Sequence, residues 1–114
     1  MTQQAADQPP WDEWEPARLH GRLGDYHIID VREPEEFAGP LGHLPDAQLI
    51  PLATLPAHVD TLPTDVPLLL VCKVGMRSAS ACRFLAARGF TRLTNLSGGM
   101  IAWRTFEAAN KNKG

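Results

Sequence analysis

One stretch of the chain holds residue types that could do chemistry together, Cys72-Lys73-Val74-Gly75-Met76-Arg77-Ser78. A cysteine becomes a nucleophile when it ionises, and an electropositive setting favours the thiolate over the thiol. Lys73 and Arg77 bring two full positive charges to such a setting. Gly75 can take a positive φ, so successive backbone N–H groups can turn inward without a Cβ in the way. The segment therefore reads as a cradle of amides and cations with Cys72 at its rim, suited to covalent transfer of a group that passes through an anionic state.

The flanking elements explain how such a cradle would be held. Val66 to Val71 is a short apolar run with β-branched ends, as expected of a strand buried on both faces of a parallel sheet. It stops at Cys72. A helical pattern is expected from Ser78 to Ala87, with Gly89 as its stop. Cys72 is thus placed between a strand's carboxyl end and a helix's amino end, where free N–H groups concentrate partial positive charge. Further strands are expected at Tyr26 to Val31, Ala47 to Ile50 and Arg92 to Leu96. Between them lie a short helix beginning at Pro16 and ending near Gly21 or Gly24, a brief one after Glu33, a weak one from Leu52 to Val59, and one from Met100 to Ala109. Trp11 and Trp14 read as packing residues. Strands alternating with short helices predict an α/β sandwich with a mainly parallel sheet, whose sites gather at the strands' carboxyl ends; Asp30 and Cys72 both fall there.

The seven-residue loop resembles the CxxGxRS active-site loop of rhodanese-like sulfurtransferases. Three further segments resemble that family in its order and spacing: Asp30-Val31-Arg32-Glu33 with Glu36-Phe37, Gly42-His43-Leu44-Pro45-Asp46-Ala47, and Leu96-Ser97-Gly98-Gly99-Met100 with Trp103. Asp46 stands where the family commonly has Gly. The resemblance covers most of residues 11 to 107 and implies the rhodanese fold, a five-stranded sheet with helices on both faces. It also implies a reaction. The Cys72 thiolate would take the sulfane sulfur of a donor such as thiosulfate, forming a persulfide that cyanide or a thiol discharges. Backbone N–H groups from Lys73 to Arg77 would hold the outer sulfur, and the Lys73 and Arg77 side chains would attract an anionic donor. Val74 and Met76 would line the mouth, and Ser78 would complete the loop. Asp30 and Arg32 match the family's Asp-x-Arg element and read as supporting groups, Arg32 in an ion pair or on loop carbonyls and Asp30 accepting backbone N–H groups.

Composition narrows the remaining possibilities. A chain of 114 residues suits one domain, expected over 11–109 with a disordered tail at 1–10 and a flexible one at 110–114. Interspersed charges and a net charge of −2 give no sign of nucleic-acid binding, and no apolar run is long enough for a bilayer. Two cysteines make no disulfide framework, and the first ten residues show no secretory signal, so a reducing cytoplasmic setting is expected. Cys82 reads as a small apolar helix position, and the four histidines show no metal-ligand spacing, so neither a metal nor a cofactor is expected. His43 reads as structural. Two other functions fit the same loop. One is a sulfur-relay module that serves a cofactor- or tRNA-thiolation partner. The other is a cysteine phosphatase or arsenate reductase, whose loops place five residues between Cys and Arg where this chain has four.

Overall fold

In the computed structural model, which describes residues 8–111, five strands form one sheet in the order β1-β5-β4-β2-β3, with every neighbouring pair parallel. The strands are β1 (Asp12–Trp14), β2 (His27–Asp30), β3 (Gln48–Leu49), β4 (Leu68–Val71) and β5 (Leu93–Leu96), and the helices are α1 (Pro16–Leu19), α2 (Pro34–Phe37), α3 (Leu55–His58), α4 (Met76–Ala87) and α5 (Gly99–Lys111). The fold is therefore α/β with a five-stranded parallel sheet. β4 is central, and all four of its residues are buried. A strand covered on both faces needs apolar side chains in both directions, which is why Leu68-Leu69-Leu70-Val71 shows no alternation.

The alternating directions feed two cores. Leu68 and Leu70 pack with Ile29, Leu55, Ala81, Cys82, Leu85 and Leu93, placing α3 and α4 on one face. Leu69 and Val71 pack with Leu19, Ile28, Leu96, Met100 and Trp103, placing α1 and α5 on the other. Each buried leucine contributes on the order of 2 kcal/mol of apolar burial, so two cores clamp β4 and fix where it ends.

Several boundaries differ from the sequence reading. β4 pairs only from Leu68, because Pro67 has no N–H to give the ladder and offers only its carbonyl, to His27. α4 begins at Met76, two residues before the expected Ser78, since Met76 is exposed and gives no apolar signature. α5 continues to Lys111, past the expected end at Ala109; residues 112–114, like most of the expected amino-terminal tail, lie outside the described residues. β1 was not expected at all. Asp-Glu-Trp is too short and polar to show a period, and it becomes a strand by pairing in register with β5. Its tryptophan packs against the α1/α5 core, while Trp11 packs on the other.

Asp46 is the one non-glycine residue of the described chain with positive φ, at 61°. The turn before β3 requires a left-handed residue there, and the chain meets that requirement with an Asp, which tolerates the region better than most side chains.

Candidate active site

Cys72 follows directly on β4, at the carboxyl edge of the sheet, and is fully buried. The sequence reading placed it at the rim of the cradle. It lies instead on the floor, because the residue continues the buried strand and the loop 73–75 wraps above it. The amides are turned toward it. Gly75 N–H donates to Cys72 Sγ at 3.1 Å, Ser78 N–H at 3.3 Å, and Ser78 Oγ at 3.2 Å. Three donors converging on one sulfur suit a thiolate or a sulfur anion better than a neutral thiol.

This convergence has local causes. Gly75 caps α4 with φ +100° and no side-chain cap, so the first-turn N–H groups of α4 have no partner inside the helix. The same turn exposes Val74, half-open to solvent, and Met76, 75% exposed, around the mouth. From the opposite side, the start of α5 holds the loop carbonyls: Met100 N–H donates to Cys72 O at 2.9 Å and Ile101 N–H to Lys73 O at 3.1 Å. Those bonds turn the carbonyls away from the sulfur. Gly99, with φ +63°, lies so close that a Cβ there would come within 2.4 Å of the Lys73 carbonyl.

The cations behave differently from one another. Lys73 is exposed and has no ion-pair partner among the described residues. Arg77 is held in an ion pair. Its guanidinium donates to both Glu36 carboxylate oxygens, at 2.8 and 2.9 Å. The Arg77 hydrogen bonds hold the Glu36 carboxyl down to about 2, from an ordinary 4.5, and the same pair raises Arg77. Glu36 was quoted in the sequence only as part of a motif. Its partner lies 41 residues further on, and nothing local signals the contact.

Asp30 and Arg32 stand behind the loop, both buried. Arg32 Nε and Nη2 donate to the two Asp30 oxygens at 2.9 and 2.8 Å, and Asp30 Oδ1 also accepts the Arg32 N–H at 3.1 Å. Arg32 Nη1 and Nη2 also donate to the carbonyls of Glu36 and Gly42, at 3.3 and 2.7 Å. The pair thus ties α2 and the following loop to β2. An open groove of about 340 Å³ runs beside the cradle, lined by Arg32, Glu36, Pro40, Leu41, Lys73 and Ile101. Cys82 faces the core within α4, and burial pushes its thiol well up. His43 hydrogen-bonds to the Phe37 carbonyl at 2.9 Å and stacks on the Phe37 ring, a structural arrangement.

Comparison with known proteins agrees with this fold. The model of the rhodanese-like domain matches residues 15–106. A sulfurtransferase of Allochromatium vinosum is 38% identical over 88 residues, 75% of this chain and 80% of that protein. A thiosulfate sulfurtransferase of Ectopseudomonas mendocina is 34% identical over 77 residues, 68% of this chain and 69% of its own length. The crystal structure of a rhodanese-related protein from Thermoplasma volcanium superposes with a TM-score of 0.77 at 28% identity, covering 83% of this chain and 92% of that one.

Proposed function

We propose that this chain, which belongs to the rhodanese-like domain family, moves a sulfane sulfur from a donor such as thiosulfate to cyanide or a thiol through a persulfide on Cys72. The observation that carries this reading is the convergence of the Gly75 and Ser78 N–H groups and the Ser78 hydroxyl on one sulfur atom. In the first step the Cys72 thiolate attacks the outer sulfur of thiosulfate. The S–S bond of the donor breaks, sulfite leaves with the bonding pair, and a Cys72 persulfide anion remains. In the second step cyanide attacks the outer sulfur, thiocyanate departs, and the thiolate is restored. No external oxidant or reductant is needed.

Each residue has a part in this scheme. The Gly75 and Ser78 amides, with the Ser78 hydroxyl, stabilise negative charge on whichever sulfur is ionised, in a site from which water is largely excluded. Lys73 draws the anionic donor to the mouth; Arg77, already neutralised by Glu36, chiefly fixes the loop. Val74 and Met76 meet the rest of the donor or acceptor. Because Cys72 is buried, the loop rim has to yield before a donor sulfur touches it, which favours slender sulfane sulfurs over bulky groups. Both thiols are free, which suits a reducing cytoplasm. The four-residue spacing to Arg77 favours a single sulfur over a tetrahedral oxyanion, against the phosphatase reading.

The test is steady-state release of thiocyanate from thiosulfate and cyanide. Wild-type protein turns over, and Cys72→Ser falls to the uncatalysed rate. A wild-type protein that stays at the uncatalysed rate contradicts the proposal as an enzyme. If it then passes sulfur stoichiometrically to a tightly bound partner protein, the relay module replaces it.

A further inference from the structure

Asn95 is a polar residue in the middle of β5, a strand buried along its length, and is itself 2% exposed. Its register partners are Glu13 on β1 and Leu70 on β4, so it projects toward the α4 face of the sheet. Its Nδ2 donates to the Gly75 carbonyl at 3.0 Å and to the two Glu13 carboxylate oxygens at 3.0 and 3.1 Å. Its Oδ1 is buried without a hydrogen-bond partner. The amide cannot relieve this by flipping, because that would set its oxygen against a carboxylate and a carbonyl, which only accept. A buried orphan acceptor is normally selected against, so the residue is held there by what its NH2 group does.

Glu13 is in turn fixed by Trp11 Nε1–H at 2.8 Å and by Ser97 Oγ–H at 2.8 Å. A chain of bonds therefore runs from the sheet edge through Glu13 and Asn95 to the Gly75 carbonyl. That carbonyl, which also accepts the Ala79 N–H of α4 at 3.3 Å, belongs to the peptide joining Gly75 to Met76, and the shorter Asn95 bond helps set ψ of Gly75, at −2°, and with it the direction in which α4 starts. Gly75 has no side chain of its own to hold this geometry, and its φ is open to wide variation.

We propose that Asn95, held by Glu13, is a positioning residue that locks the Gly75–Met76 peptide so that the cradle amides point at the Cys72 sulfur. This rests on the sulfur-transfer reading of the same site but is tested without sulfur transfer. The charged groups around the thiol, Lys73, Arg77 with Glu36, and the Asp30–Arg32 pair, are untouched by the change.

The experiment uses Asn95→Leu, similar in volume and free of the orphan oxygen, with Thr94→Val as a control on the opposite face of the same strand. Two quantities are read: alkylation of Cys72 by neutral iodoacetamide, followed on the Cys72 peptide, and the amide resonance of Gly75. Asn95→Leu should unfold at the wild-type temperature, alkylate about ten-fold more slowly, and show a displaced Gly75 amide, as expected from misdirecting one or two anion donors. Thr94→Val should match wild type in both. A folded Asn95→Leu with wild-type alkylation and an unmoved Gly75 resonance overturns the proposal. Should that variant fail to fold, Asn95→Ser, smaller and still polar, carries the same two predictions and the same overturning result. Slow alkylation in the variant of a wild type that transfers no sulfur would keep the positioning role and remove the functional reading instead.

Discussion

At the scale of single residues, opposite charges separate into those that hold structure and those open to a ligand. Asp30 and Arg32 are a buried pair, and removing one partner leaves the other charge uncompensated, at a cost of about 3 kcal/mol. Asp30→Asn should lower the denaturant midpoint accordingly, and an unchanged midpoint would mean that Arg32 is satisfied by carbonyls alone. Glu36 and Arg77 are half-exposed, and their pairing matters for charge at the mouth more than for stability. Glu36→Gln should release the Arg77 cation and lower KM for thiosulfate by roughly two- to five-fold, as expected for a surface-type pair, with little change in kcat. The same substitution has a pH signature. A carboxyl held at about 2 in the fold, against an ordinary 4.5, stabilises the protein above pH 4.5, and this contribution drains away as the pH falls toward 2. The acid limb of thermal unfolding should therefore be shallower over that window in Glu36→Gln; an identical limb would contradict the pairing.

At the scale of elements, three segments distant in sequence shape the cysteine loop: α2 through Glu36, β5 through Asn95 and the start of α5 through Gly99. Gly99 packs its bare Cα on the Lys73 carbonyl, so Gly99→Ala should cost roughly 3 kcal/mol from overlap and positive φ together, and should slow Cys72 alkylation. Gly89 also has positive φ but open space around it. Gly89→Ala should cost only about 1 kcal/mol and leave alkylation unchanged, and equal effects of the two in an unfolding series would deny the clamp. In the turn before β3, Asp46→Gly should relieve a left-handed Asp and raise stability by about 0.5 kcal/mol after the entropy of the added glycine. The cradle itself was legible because its parts are consecutive: strand, cysteine, glycine and helix follow one another within 68–87 and obey local rules. Glu36, 41 residues from Arg77, and Glu13, 82 residues from Asn95, act through contacts that only the folded sheet creates. β1 was illegible for the same reason, since three mainly polar residues become a strand only beside β5.

At the scale of the whole molecule, a parallel sheet covered on both faces collects its strand ends at one edge, and both the cysteine loop and the Asp30–Arg32 support sit along that edge. The floor position of Cys72, which the sequence did not reveal, follows from this architecture, because residue 72 directly continues the most buried strand. Among the described residues no helix is long and apolar enough to cross a membrane. One measurement bears most directly on whether this edge carries sulfur: the intact mass of the protein after exposure to thiosulfate and removal of small molecules. Wild type should gain one sulfur atom and lose it when cyanide is added, Cys82→Ala should do the same, and Cys72→Ser should keep its mass throughout. A wild type that gains nothing, or a Cys72→Ser that gains the same sulfur, would contradict persulfide chemistry at residue 72.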